Sequence, residues 1–335
     1  MNSFAPQHQG ILASALARLP LLTLYLTERC NSRCVTCDYW REGKETLSLD
    51  ALRKLLPELK ALQTRAVVLS GGEPLLHAQW RDIARELRAN GQQVWLLTSG
   101  LALAKHAREI AGLFDALTVS LDGTDAATYE RIRGLDAFDK VCEGIRAAAA
   151  AGLAPGLRVT LQAANLGQLR QFVSLAETLG ASQVSFLTVD LASDHAFGRV
   201  QAADRALAPS LADIARMRAD IETLSRSHAE HFASGFIAES PAKLARLAQY
   251  FEALHGAAPY PKVRCNAPQF SAVVGASGGV QPCFFIAGPS QARVSPHTSL
   301  SDALNEPGMT ALRANIGSGS RPECKTCVCS MWRPL

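Results

Sequence analysis

Long apolar runs are missing from this 335-residue sequence. No stretch of about 18 uncharged apolar residues occurs, so no transmembrane helix is expected. The N-terminus also lacks a basic segment followed by an apolar one, which leaves no secretion signal to read. Charge of a single sign is scarce too. Net charge is +4, with acidic and basic residues mixed along the chain. Neither a basic stripe for nucleic acid nor a basic membrane-surface helix is therefore expected. The small positive balance tilts towards an anionic substrate or an acidic partner. A cytoplasmic protein, with no membrane and no nucleic acid among its partners, is the expectation. What is present is a globular balance, 48% hydrophobic and 19% charged residues, enough for a sizeable core.

Cysteine is plentiful but poorly arranged for disulfides. The nine stand at Cys30, Cys34, Cys37, Cys142, Cys265, Cys283, Cys324, Cys327 and Cys329, eight of them in two groups near the ends. An odd count, tight spacing and no secretion signal favour metal thiolates over a disulfide framework.

Apolar runs at 21–27, 66–70, 93–98, 116–121, 156–162 and 183–188 read as buried strands. Helical periodicity lies between them. Leu52, Leu55, Leu56 and Leu59 share one face of a helix over 50–62. Helices over 77–90 and 138–151 are followed by Gly91 and Gly152, suited to left-handed C-caps. Asn165 is the expected N-cap of a helix ending before Gly180. Six strands alternating with helices predict an α/β fold, a parallel sheet curled into a full or partial barrel over 21–190. Its site lies in the loops after the strand C-termini. Residues 1–20 predict an N-terminal arm, and 191–262 a helical connecting region with helices at 209–228 and 241–253. Residues 263–335 hold five cysteines among Gly, Pro and Ser, and predict a small metal-stapled module.

Cys30, Cys34 and Cys37 follow the first strand in C-x3-C-x2-C spacing. Three thiolates on one short loop can hold three irons of a [4Fe–4S] cube and leave the fourth open to a ligand. A structural zinc completed by a residue such as Asp38 is the alternative, though such sites usually show two C-x2-C-like pairs. Gly71, Gly72, Glu73 and Pro74 follow the second strand. The glycines allow close backbone approach to a ligand, and Glu73 offers a charged acceptor for an ammonium group. An ordinary strand-to-helix turn would look the same. Ser99 ends the third strand, and Ser120 and Asp122 the fourth, where Ser, Asp and Gly are also common turn residues. Arg133 reads either as an anion contact or as a solvated arginine at a helix end. In the tail, Cys265 and Cys283 flank a glycine-rich β-hairpin, and Cys324, Cys327 and Cys329 follow in C-x2-C-x-C spacing. Four such thiolates suit a second cube or a tetrahedral zinc. Cys142, at a helical position among apolar residues, reads as core. Asp190, Asp194 and His195 follow the sixth strand, and Asp190 is the candidate catalytic acid or base.

The C-x3-C-x2-C loop after the first strand, with Gly71, Gly72 and Glu73 after the second, resembles the radical S-adenosylmethionine (SAM) superfamily. The tail resembles that superfamily's SPASM/twitch appendage. The resemblance implies a partial (β/α)6 barrel in which Cys30, Cys34 and Cys37 hold a [4Fe–4S] cluster whose open iron chelates SAM. It assigns SAM binding to Gly71, Gly72, Glu73, Pro74, Ser99, Ser120, Asp122 and Arg133. It also implies an auxiliary [4Fe–4S] cluster on Cys265, Cys283, Cys324 and Cys327, with Cys329 a substitute ligand or a spare thiol. Reductive cleavage of SAM would give a 5′-deoxyadenosyl radical that takes hydrogen from the substrate. An electron donor such as flavodoxin or ferredoxin is the implied partner. About twenty residues before the first strand are too few for an independent leader-binding domain, which tilts the expected substrate towards a small molecule, oxidised or rearranged. Modification of a ribosomal peptide is the alternative, and a zinc-stapled, non-catalytic binding protein is the reading from another class.

Overall fold

A computed structural model describes residues 15–199, 201–329 and 331–333. Most of the expected N-terminal arm, residues 1–14, lies outside the described residues. Six parallel strands run in chain order across a sheet: β1 Leu21–Thr27, β2 Ala66–Gly71, β3 Gln93–Thr98, β4 Ala116–Ser120, β5 Pro155–Leu161 and β6 Gln183–Thr188. They match the apolar runs to within one residue at each end. Parallel neighbours need crossovers, and helices between successive strands supply them.

The barrel is not closed. Beyond β1 the sheet continues with β7 (Ser271–Val274) and β8 (Val280–Gln281), giving the order β6-β5-β4-β3-β2-β1-β7-β8. Strand β7 runs parallel to β1, with Leu21 opposite Ser271 and Leu24 opposite Val274, and β8 returns antiparallel. The cysteine-bearing hairpin is therefore an extension of the barrel sheet as well as a tail element. At the other edge Val184 accepts and donates backbone bonds with Ala238 (2.9 Å) and Phe236 (2.7 Å), so the connecting region adds a short parallel bridge beside β6.

Two-residue alternation sets what each strand faces. Leu157, Val159 and Leu161 of β5 and Val184 and Phe186 of β6 are buried in the main core with helix residues such as Phe172 and Val173. Arg158, Thr160, Ser185 and Leu187 lie between them and point to the barrel interior. The helix Leu49–Ala61 buries Leu52, Leu55 and Leu59, and Ser48 caps it through Ala51 N. Gly91 and Gly152 have φ of 97° and 86°, as the expected caps require.

Two helix starts differ from expectation. The helix expected from 77 begins at Trp80, because Pro74–Leu76 forms a 3-10 turn and His77 Nδ1 accepts from Gln79 N at 3.0 Å. Asn165 stands at the start of a 3-10 turn, Leu166–Gln168, that leads into the helix, but its side chain makes no cap bond. Its Oδ1 accepts from Gln162 N (2.8 Å), and its Nδ2 donates to the carbonyls of Asp122 (2.9 Å) and Thr160 (3.0 Å). It ties the ends of β4 and β5 together, and the helix starts later, at Leu169. The connecting helices are Leu211–Ser227, with a Ser210 and Asp213 capping box, the short Ala229–Ser234, and Pro241–Leu254. The tail also folds helices that its composition hid, Leu300–Asn305, Pro307–Gly317 and the short Pro322–Lys325. Among the described residues no helix is long and apolar enough to cross a membrane.

Candidate cluster and cofactor site

The loop carrying Cys30, Cys34 and Cys37 leaves the C-terminal end of β1 and is held from three sides. On one side, Gly72 N donates to Thr27 O (2.7 Å) and Glu73 N to Arg29 O (2.8 Å). On the second, Arg33 N donates to Arg133 O (2.9 Å) and Val35 N to Ile132 O (3.0 Å). On the third, Asp38 N (3.0 Å) and the Cys37 thiol (3.2 Å) both donate to Phe197 O, in the loop after β6. Within the loop Trp40 Nε1 donates to Cys34 O at 3.3 Å. All three cysteines are half-buried and unpaired. Burial pushes the Cys30 thiol up to about 11 and the Cys37 thiol up to about 12, and the neighbouring cysteines add to both.

The glycine pair is required by close backbone approach. A Cβ on Gly72 would fall on the Arg29 carbonyl and stand 2.5 Å from that of Glu28, while Gly71 has φ of 117°. Both obstacles to Gly72 are backbone of the cysteine loop, so no rotamer change relieves them. We expect Gly72→Ala to destabilise the protein by about 1–3 kcal/mol and to lower iron loading. Thermal melting and iron analysis read both, and an unchanged pair of values would contradict this placement.

Glu73 is not the open acceptor that its sequence context suggests. Its side chain is buried, and Oε1 accepts from Leu75 N (3.1 Å) and Thr98 Oγ1 (2.8 Å) while Oε2 accepts from Ser99 N (2.7 Å). These bonds clamp the loop after β2 to the end of β3, so Glu73 positions its neighbours. Pro74 is buried at the start of the following turn. Ser99 donates its hydroxyl to Asn31 Oδ1 (3.3 Å), inside the cysteine loop. Ser120, half-buried at the end of β4, is on the same side of the sheet as Arg158, its partner on β5.

Asp122 and Arg133 form a buried pair, with Nη1 and Oδ2 3.1 Å apart, and Asp122 Oδ1 also accepts from Thr160 N at 2.7 Å. Burial raises the Asp122 pKa, against the pull of Arg133. Burial opposes the Arg133 charge, but Cys34, Asp122, Tyr129 and Cys30 outweigh it and raise the Arg133 pKa. Arg133 Nε is buried without a hydrogen-bond partner. The pair thus holds the Arg133 guanidinium beside Cys30 and Cys34, with Asp122 fully engaged.

Asp190 is engaged in the same way, against expectation. Arg199 Nη2 lies 2.6 Å from its Oδ2, and Oδ1 accepts from Ala192 N (3.2 Å) and Ser193 N (3.3 Å). Both of its oxygens are thus taken up within its own loop, leaving none turned to a substrate. The ion pair shapes the loop that delivers Phe197 to Cys37. Nearby, His195 Nδ1 stands 2.9 Å from Asp194 Oδ1, and its Nε2 is buried without a partner.

The tail brings its five cysteines together. Cys327 feels Cys329, Cys283 and Cys265; Cys283 feels Cys265 and Cys324; and both Cys324 and Cys329 feel Cys265. Cys265 precedes β7, Cys283 follows β8, and Cys324 lies in the short helix Pro322–Lys325. Cys283 and Cys324 pack on Ile286, Leu312 and Ile316. Asn266 fastens the chain end beside Cys265: its N donates to Met331 O (2.9 Å), its Nδ2 to Arg333 O (2.6 Å), and Arg333 N to its Oδ1 (2.9 Å). Cys142 is buried in a helix, away from either group.

The donors around the sulfurs fit thiolate ligands. Ala267 N donates to Cys265 Sγ (3.5 Å) and Cys329 N to Cys327 Sγ (3.3 Å). Backbone N–H groups of Ser32, Tyr39 and Phe285 likewise favour the anionic sulfur of Cys30, Cys37 and Cys283. An N–H two residues on, turned back to a sulfur, stabilises negative charge there, as a metal-bound thiolate needs. Among the described residues no three His, Cys, Asp or Glu side chains are grouped as one metal ion would hold them. A cube asks for a wider set, because each thiolate takes a different iron.

Sequence reasoning passed over Arg158, because an arginine inside a strand carries no motif. It also passed over Phe197 and Arg199. For Phe197 the structure supplies a backbone contact that no side-chain pattern signals.

Residues 24–167 match the radical SAM superfamily. This segment is a radical SAM domain, of the family whose members bind a [4Fe–4S] cluster and SAM. A probable GTP 3′,8-cyclase of Saccharolobus islandicus is 33% identical over 174 residues, 50% of this chain and 56% of that protein. The GTP 3′,8-cyclase of Klebsiella pneumoniae is 38% identical over 141 residues, 39% of this chain and 43% of that protein. The chain spans about half the length of the curated relatives it matches. Among solved structures, Streptococcus suis SuiB bound to SAM superposes with a TM-score of 0.68 at 16% identity, covering 94% of this chain and 73% of that one. Native anSMEcpe with bound AdoMet gives 0.67 at 16% identity, covering 92% and 87%. At such identity the likeness is one of fold.

Proposed function

We propose that this chain is a radical SAM enzyme with an auxiliary [4Fe–4S] cluster in its tail, acting on a small-molecule substrate. The observation that carries the reading is the cysteine loop at the end of β1, its three unpaired thiols on one short segment with the backbone of Gly72 and Glu73 laid against it. In this reading 21–190 is the barrel, 191–262 the connecting region and 263–335 the auxiliary module. Cys30, Cys34 and Cys37 hold the first cluster; Cys265, Cys283, Cys324 and Cys327 hold the second. When bound, cluster and SAM supply a 5′-deoxyadenosyl radical that removes a hydrogen atom from the substrate.

The chain's own residues orient and shield that chemistry. The backbone of Gly71 and Gly72, before Pro74, forms the wall nearest the cysteine loop, and Glu73 and Asp122 keep the walls in register through their internal bonds. Ser99, Ser120 and Arg133 present polar atoms to the cofactor. His195 replaces Asp190 as the candidate proton acceptor, because Asp194 orients its ring and Nε2 is left free. A flavodoxin or ferredoxin supplies the electron.

The small-molecule assignment is supported by the curated relatives, which are named for a reaction of GTP. Peptide modification is the second reading, favoured by fold similarity that extends through the tail to SuiB, whose structure is also known with the precursor peptide SuiA. Anaerobic reconstitution, reduction with dithionite and addition of SAM should release 5′-deoxyadenosine. Loaded, reduced protein that leaves SAM intact would contradict the proposal.

A further inference from the structure

Buried arginines need partners, because removing a guanidinium from water costs several kcal/mol. Three half-buried or buried arginines line this barrel. Arg133 has Asp122, and Arg199 has Asp190 together with the carbonyls of Asp190 and Ala196. Arg158 is the exception. Among the described residues its side chain makes no ion pair or hydrogen bond, and its Nε is buried without a partner.

Its setting explains what it awaits. Arg158 lies within β5, opposite Ser120 on β4 and Ser185 on β6, and paired residues of neighbouring strands share a face. The alternating burial of β5 turns that face to the barrel interior. Glu239 lies nearby but is committed elsewhere: Oε1 accepts from Ser185 Oγ (3.0 Å), Oε2 accepts from Phe186 N (2.7 Å), and Lys243 Nζ stands 3.8 Å from Oε1. Burial lowers the Arg158 pKa although Glu239 and Cys329 favour its charge, whereas the neighbours of Arg133 overcome burial. The guanidinium is thus a cation inside the barrel with an open fork that no carboxylate bonds. That planar fork matches a carboxylate or phosphate, and the Ser120 hydroxyl beside it adds a donor.

We propose that Arg158 is an anion-binding residue of the barrel, taking the carboxylate or phosphate of a bound ligand. Two ligands can bring such a group: SAM, through its methionyl carboxylate, and the substrate. The first source rests on the function proposed above; the second does not. The test uses the full chain reconstituted anaerobically, with Arg158→Gln and Arg158→Lys variants whose melting midpoints and iron contents are recorded first. Equilibrium dialysis measures SAM and decarboxylated SAM.

If the methionyl carboxylate is the anion, Arg158→Gln weakens SAM binding by at least about tenfold. It leaves decarboxylated SAM unchanged, and Arg158→Lys recovers part of the loss. If the substrate brings the anion, SAM binding is unchanged. Inorganic phosphate or acetate then raises the melting midpoint of SAM-loaded wild type but not of Arg158→Gln. Equal loss of SAM and decarboxylated SAM, or no difference between wild type and Arg158→Gln towards any of the four probes, overturns the proposal. Failure of the wild type itself to bind SAM would instead remove the radical SAM reading, and the same phosphate and acetate titrations run on the SAM-free proteins would still decide Arg158.

Discussion

Cys30→Ala is expected to stop the release of 5′-deoxyadenosine, with a loss of at least about 1,000-fold that takes the rate to background. The cube needs three separate thiolates, and this loop offers only Cys30, Cys34 and Cys37. With one gone, an iron loses its ligand and the cluster is not retained. Iron content should fall by about four per chain while about four remain in the tail. The two groups sit on different elements, the loop after β1 and the segments around β7 and β8, so the loss should be selective. Folding should survive, because Cys30 is half-buried in a loop rather than packed in the core. Cys265→Ala should do the converse, losing the tail's iron while SAM cleavage persists. Undiminished cleavage in Cys30→Ala would rule out this loop as the radical centre.

Arg199→Met should give the largest loss of stability. The side chains of Arg199 and Asp190 are 4% and 6% exposed, so removing the cation strands a buried carboxylate, which costs about 3–5 kcal/mol. The carbonyls of Asp190 and Ala196 lose their donor as well. The loop has a second reason to leave its place. Phe197 sits at φ of 61°, a conformation that costs a non-glycine residue about 1–3 kcal/mol and is held only by its surroundings. Once freed, its carbonyl no longer holds Asp38 and Cys37. Denaturant unfolding should show the loss. Hydrogen exchange should rise across residues 190–199, and cluster loading should fall. Pairing Arg199→Met with Asp190→Leu should restore much of the stability without the loop geometry, because the stranded charge is gone. A single Arg199→Met variant as stable as wild type would contradict the buried pair.

The barrel was legible because its strands are short apolar runs between amphipathic helices, a pattern written locally. The pairing of β7 with β1 was not, since it joins the two ends of the chain and a four-residue parallel partner has no local signature. Cysteine spacing announced both thiolate groups, and the structure brings each together. Charged residues were harder. Glu73, Asp122 and Asp190 look alike in sequence whether they serve a ligand or their own chain, and all three turn out to hold internal N–H groups or arginines. Arg158 shows the reverse case, a residue without a motif whose missing partner is visible only once neighbouring strands are in register.

Iron and acid-labile sulfide, counted per chain after anaerobic reconstitution of the wild-type protein, test the two-cluster account most directly. About eight of each is the expected result, one cube on each cysteine group. About four would leave the tail without its cluster, and zinc with no iron would contradict the account altogether.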